Sequence, residues 1–181
     1  MAINKYYYKS FHATLKYNFY FTITKGGEWK SLAIGQLAPE FELVDHQSTK
    51  HKLSDYRGKN VILAFYPAAF TGVCQKQLCT MRDSMDTLNS ASAQVFGISA
   101  DIPFSNAVFA QQNNINYPLL SDYTLSTIQA YGLELPNFAG LEGLTRSHRA
   151  TVLINKEGVI SYMEVTANPG LEPDYNALMN A

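Results

Sequence analysis

Two cysteines in 181 residues are too few for a disulfide framework. They do not form a Cys-x-x-Cys pair, which counts against a dithiol–disulfide oxidoreductase. Standing five apart with no histidine nearby, they also fit a zinc site poorly. They read as thiols of the cytoplasmic kind, with chemistry of their own. No apolar run approaches the ~18–20 residues that a membrane span requires. The formal net charge is −1, so nothing favours nucleic acid or a membrane surface as the main partner. What remains is an ordinary globular composition, 46% hydrophobic and 16% charged, of a length that suits one hydrophobic core.

Charge and aromatics are unevenly spread. Residues 1–30 hold five lysines and one acid, Glu28, whereas residues 31–181 hold nine basic and fourteen acidic side chains. Tyr6, Tyr7, Tyr8, Tyr17, Phe19, Tyr20 and Phe21 crowd the same opening segment. It has no apolar core or small-residue cleavage site, so it is not a signal peptide, and it lacks the arginines of a transit peptide. The expectation is a boundary near Ser31, with residues 1–31 a dispensable extension or a misplaced translation start, and residues 32–181 the working domain. A basic arm or an extra edge hairpin is the other reading of that segment.

Beyond it, residues 41–44 and 50–53 read as a hairpin turning at 45–48, which puts His46 and His51 on the surface. Asn60–Tyr66 is a continuous apolar strand. A helix is expected over 72–89, a second core strand over 94–99, and a helix after Pro103, which suits a first turn. A short extended piece covers 117–122, a short helix 124–131 and a glycine-containing loop 134–147. Residues 150–154 and 159–163 pair across Asn155-Lys156-Glu157-Gly158. A last short helix follows Pro173. Strand–helix–strand–helix and then a hairpin imply an α/β sandwich with a mixed sheet.

The chemistry concentrates where the strand 60–66 meets the helix. Cys74, Leu78, Met81, Met85 and Leu88 are spaced as one helical face, so Cys74 opens the inward stripe. Thr71 is a candidate N-cap, which places Cys74 at the third helical position. The unpaired N–H groups and the helix dipole there favour a thiolate. Pro67 turns the chain and shields the sulfur. The competing reading is a small buried residue starting a core helix. Cys79 falls about 140° around and ~7.5 Å along the helix from Cys74, on a flank with Gln75, Arg82 and Asp86 that faces away from the core. Two helical cysteines so placed cannot form a disulfide unless the helix unwinds. Cys79 as a bystander remains open. Arg82 reads as a solvated residue pairing with Asp86 four positions on.

Pro67-x-x-x-Thr71-x-x-Cys74 after a core strand resembles the active-site motif of the peroxiredoxins. Gly35-Gln36-Leu37-Ala38-Pro39-Glu40-Phe41, Tyr117–Asp122 and His148-Arg149-Ala150-Thr151 agree with it, and the resemblance spans about 33–170. It implies a thioredoxin-like fold with an added N-terminal hairpin. It implies a thiol peroxidase that takes hydrogen peroxide or organic hydroperoxides, needs no metal or organic cofactor, and works in the cytoplasm. Cys74 would attack the peroxide, with Thr71 orienting it, Pro67 shielding the sulfur and Arg149 reaching the site from the strand after residue 149. His148 beside it points to the other sheet face and is assigned no chemistry. Cys79 would resolve the oxidised Cys74 as an intrachain disulfide, reduced by a thioredoxin-like donor, in a homodimer. The five-residue cysteine spacing resembles the Q-type (bacterioferritin-comigratory) subgroup. Phe-Thr-Gly-Val-Cys and Met-Arg-Asp also resemble the one-cysteine alkyl hydroperoxide reductase E group, whose resolving thiol is external. Many members carry glutamate where this chain has Gln77, which touches the orientation of Arg149. A non-enzymatic chaperone on the same fold is the rival of another class.

Overall fold

A computed structural model describes residues 20–23, 29–85 and 93–181. Seven of its strands make one sheet: Glu42–Asp45 (β3), Lys50–Lys52 (β4), Asn60–Phe65 (β5), Ala93–Ser99 (β6), Leu119–Ser121 (β7), Ala150–Ile154 (β10) and Ile160–Val165 (β11). Their order is β11-β10-β5-β6-β7-β3-β4. The central β5, β6 and β7 run parallel, and the outer strands join antiparallel, so the sheet is mixed. Tyr20–Ile23 (β1) and Trp29–Leu32 (β2) form a separate antiparallel pair. Residues 1–19 and 24–28, where most of the extension falls, lie outside the described residues.

Strand alternation divides the core in two. Val61, Leu63 and Phe65 of β5 join one buried cluster with Phe96, Ile98, Leu120 and Ile128. Ile62, Ala64 and Tyr66 join the other, under the helices Gly72–Asp83 (α1), Pro103–Gln112 (α2) and Tyr175–Met179 (α4). Ser126–Ala130 (α3) packs on the first side through Ile128. The stripe is as expected: Cys74, Leu78 and Met81 of α1, and Met85 just past its end, are all buried in the second cluster. Burying Leu78 and Met81 stabilises this contact by ~1.5–3 kcal/mol each. Gly97 of β6 permits the close fit, since a Cβ there would lie 2.5 Å from Leu119 Cδ2. The helix expected over 72–89 is regular through Asp83, and its expected end, with Leu88, falls outside the described residues.

Two expectations are corrected. Residues 134–147 are not all loop: Glu134–Leu135 (β8) pairs with Arg146–Ser147 (β9). His46 and His51 are not surface residues but half-buried. The hairpin that carries them extends the main sheet, because β3 pairs with β7, so its inner face is covered. His51 Nε2 lies 2.9 Å from Asp45 Oδ2 and Nδ1 lies 2.6 Å from Tyr56 Oη. Its ring meets Phe96 edge-on. Burial opposes ionisation of Asp45, but bonds from His51, Thr49 and Gln47 outweigh it and hold the carboxyl below its usual range.

His46 gives a pH prediction. The Leu119 N–H donates to His46 Nδ1 at 3.1 Å, which needs that nitrogen unprotonated. Burial pushes this imidazole below its ordinary 6.5. Between the lowered folded value and 6.5, the unfolded chain binds more protons, so the stabilisation is complete above about pH 6.5 and is lost as pH falls. The denaturant midpoint is expected to fall as pH drops below about 6.5. His46→Gln, which keeps an acceptor but cannot titrate, should flatten that slope; equal slopes in both chains would remove His46 as a cause.

Candidate active site

The register of β5 and β10 creates the site. Ala150 pairs with Phe65, so Arg149 stands level with Tyr66 and Pro67, at the carboxyl end of the parallel strands. Such ends are where α/β sheets hold ligands. From there the chain turns through residues 67–71 into α1. The turn is tied at three points. The Ala69 N–H donates to Asp101 Oδ2 at 2.7 Å. Thr71 Oγ1 donates to the Ala68 carbonyl at 3.0 Å. Phe70 takes a left-handed conformation, φ 61°, and its ring meets Phe109 edge-on.

Thr71 occupies the N-cap position of α1, and Cys74 is therefore the third helical residue. The cap itself is corrected: the Thr71 side chain accepts no helix N–H. The left-handed turn at Phe70 brings the Ala68 carbonyl within reach, and the hydroxyl donates there instead. Its lone pairs are then free to accept a hydrogen bond, and the first-turn N–H groups are left for another acceptor.

Cys74 is fully buried, and Arg149 Nη2 lies 3.3 Å from its sulfur. Arg149 is 1% exposed. Its Nη1 donates to Gln77 Oε1 at 2.5 Å, and Nη2 and Nε donate to the Pro169 carbonyl at 2.7 and 3.2 Å. Three directions are thus fixed, and one points at sulfur. None of these partners is a carboxylate. Gln77 is fully buried, and its Nε2 has no hydrogen-bond partner among the described residues. The amide in place of glutamate still holds the guanidinium. His148, the residue before it, donates its backbone N–H to the Leu133 carbonyl, and burial pushes its imidazole below 6.5.

A cleft of about 230 Å³ opens over the sulfur, lined by Pro67, Thr71, Gly72, Arg149, Phe138 and Pro169 among others. Pro67, Thr71, Cys74 and Arg149 therefore meet at one place, as the motif led one to expect. Phe138, Pro169 and Asp101 were missed. Pro169 acts through a backbone carbonyl, which leaves no mark in sequence. Asp101 follows the end of β6, beside β5, and that position is the signal that could have found it.

Cys79 is not brought to Cys74. Both thiols are free, and both sit within the unbroken helix α1. The expectation that Cys79 faces away from the core needs correction, since it is half-buried against the second cluster. The end of α2 covers that flank and puts Asn113 Oδ1 4.0 Å from its sulfur. The expected pairing of Arg82 with Asp86 falls outside the described residues. Arg82 pairs with Asp83 at 2.7 Å and donates to the Asn113 carbonyl. Among the described residues, no group of three or more His, Cys, Asp or Glu side chains could hold a metal ion. No described helix is long and apolar enough to cross a membrane.

Comparison with known proteins agrees with this geometry. Residues 34–163 match the AhpC/TSA family. Peroxiredoxin Bcp of Escherichia coli K12 is 36% identical over 135 residues, which cover 73% of this chain and 85% of that one. The chloroplastic peroxiredoxin Q of Populus jackii is 37% identical over 126 residues, covering 70% of this chain and 57% of its own. The crystal structure of peroxidoxin BcpB from Mycobacterium tuberculosis superposes with a TM-score of 0.68 at 28% identity, covering 76% and 88% of the two chains. The fold is the thioredoxin-like one, and of the two subgroups the relatives stand on the Q-type side. The chain belongs to the AhpC/TSA family as a peroxiredoxin, a thiol-dependent peroxidase.

Proposed function

We propose that Cys74 is the residue that reduces the hydroperoxide. The observation that carries this is the buried Cys74 sulfur in the first turn of α1, 3.3 Å from Arg149 Nη2 at the floor of the cleft. The thiolate attacks the terminal peroxide oxygen, the S–O bond forms and the O–O bond breaks. Cys74 becomes a sulfenic acid, and the departing oxygen leaves as water or an alcohol after taking a proton. Thr71 accepts from the peroxide O–H, because its own proton is committed to Ala68. The Cys74 N–H and Arg149 stabilise charge as it moves from sulfur to the leaving oxygen. Thiolate formation alone does not give a fast peroxidase, since nucleophilicity falls with basicity.

In the second half of the cycle Cys79 attacks the Cys74 sulfenic acid after α1 opens, giving an intrachain disulfide that a thioredoxin-like donor reduces. The spacing of the cysteines and the relatives named Bcp and Q support this reading. Residues 32–181 form the catalytic domain and residues 1–31 a dispensable extension, supported by the family match beginning at 34. The chain works as a homodimer, supported by the exposed apolar side chains Phe70, Ile102, Phe104 and Val108 beside the site. A cytoplasmic setting is the reading that the low cysteine count supports, and cell fractionation tests it.

One equivalent of peroxide, followed by intact mass and peptide mapping, tests the cycle. The expected product has lost two hydrogens and yields a 74–79 linked peptide. A product that has gained one oxygen on Cys74 and stays there means a one-cysteine enzyme with an external resolving thiol. Native mass measurement of the same sample counts the chains, and a single chain at working concentration would sink the dimer.

A further inference from the structure

Gln75, Cys79 and Arg82 stand four and three apart on α1 and share one stripe. All three meet a single residue just past α2. Gln75 Nε2 donates to Asn113 Oδ1 at 2.6 Å, and the Cys79 thiol lies 4.0 Å from the same oxygen. Arg82 donates to the Asn113 backbone carbonyl. Asn113 is itself 9% exposed and firmly held. Its Nδ2 donates to the Phe109 carbonyl at 2.8 Å, and its backbone N–H donates to that same oxygen at 3.1 Å. Because the amide nitrogen is tied to α2, the amide oxygen must face α1.

None of Gln75, Cys79, Arg82 or Asn113 lines the cleft over Cys74. Their bearing is on the step after the peroxide has reacted. In that step the Cys79 sulfur attacks the Cys74 sulfur. The S–S bond forms, the S–O bond breaks, and the hydroxyl leaves as water with the proton from Cys79. No further oxidant enters. A helical pair five residues apart cannot reach bonding geometry, so α1 must open first. Opening carries Gln75 and Cys79 away from Asn113. The population of the open form, and with it the rate of disulfide formation, is set by what that departure costs.

We infer that Asn113 is a latch on α1: its side-chain oxygen holds the stripe that carries Cys79 in the helical state, and so decides how long the Cys74 sulfenic acid waits before it is resolved. This rests on the reading that Cys79 is the resolving thiol. A long wait exposes the sulfenic acid to a second peroxide and to sulfinic acid. Asn113 is a positioning residue, and it acts through Cys79 and Gln75.

The test is a rapid-quench experiment on the full chain with hydrogen peroxide, followed by alkylation and intact mass. It reads three quantities: loss of the Cys74 thiol, formation of the disulfide, and the sulfinic fraction in excess peroxide. Asn113→Ala should leave the first unchanged, speed the second by roughly 5-fold, as for loss of one part-buried neutral hydrogen bond, and lower the third. Gln75 is exposed, so Gln75→Ala removes the same bond from the other side with little risk to folding. It should act in the same direction, and the double variant should be no faster than the quicker single one. Disulfide formation at the parental rate or slower in both Asn113→Ala and Gln75→Ala overturns the latch and leaves Cys79 as resolving thiol. A parental chain that forms no 74–79 disulfide overturns the Cys79 reading, and the latch falls with it.

Discussion

Replacing Cys74 by serine is expected to end peroxide consumption, with a loss on the order of 10⁴-fold or more, the scale on which removing a covalent nucleophile acts. The substitution changes one atom. It keeps the size of the side chain, the first turn of α1 and the walls of the cleft. What it removes is the sulfur, the atom that attacks the peroxide and accepts its oxygen. A serine hydroxyl is a far weaker acid than a thiol, and Arg149, which lies 3.3 Å from the sulfur, is a cation that cannot take its proton. The fold should survive, because the new hydroxyl replaces a thiol at an Arg149 donor that can be shared with it. Equal thermal midpoints and a silent peroxide assay are the expected pair of results. They separate the enzyme from a chaperone on the same fold, whose activity would be indifferent to the change. Peroxide consumed equally well by the serine variant would remove Cys74 from the mechanism.

The parts of this molecule that were legible beforehand are those written in local side-chain pattern. The continuous apolar run 60–65 is a strand buried on both faces, the stripe Cys74, Leu78, Met81 gives the inward face of α1, and the Asn155–Gly158 turn joins β10 to β11. The expectation that Arg149 reaches Cys74 comes from the resemblance to the peroxiredoxins, and the β5–β10 register that puts it there is visible only in the structure. What stayed hidden depends on groups without a side-chain signature, or on contacts between elements distant in sequence. Thr71 is the right residue for a cap, but the left-handed Phe70 supplies a rival acceptor in the Ala68 carbonyl. The Pro169 carbonyl holds Arg149 from a loop 20 residues on. His51 reads as hairpin surface until β3 is seen to extend the main sheet. Cys79 reads as outward-facing until α2 covers its flank with Asn113. Helical spacing gives the angle of a side chain about its own axis and says nothing of which neighbour stands there.

Arg149→Met is expected to lower kcat/KM for peroxide by about 10²–10³-fold, the range seen when one preorganised donor to a developing anion is removed. The guanidinium is buried, and its hydrogen-bond partners are the Cys74 sulfur, the Gln77 amide oxygen and the Pro169 carbonyl. With no carboxylate among them, its charge is not spent on a protein anion and remains available to the sulfur and to the leaving oxygen. Gln77 matters here because it is neutral: it fixes the direction of Nη1 without competing for the charge. Methionine fills much of the volume but leaves Gln77 Oε1 and the Pro169 carbonyl without their donor, a cost of about 1–3 kcal/mol for each buried group so stranded. A lower thermal midpoint should therefore accompany the loss of rate, and the two must be told apart. Arg149→Lys does so. An ammonium retains the charge but cannot reach Gln77, Pro169 and Cys74 with one rigid fork. Its rate should fall between the parent and methionine, while its stability recovers less than its rate. If lysine and methionine slow the reaction equally, the charge contributes little and Arg149 serves only to brace α1 against the loop at Pro169. If neither slows it, the transition state is stabilised by the first turn of α1 and Thr71 alone.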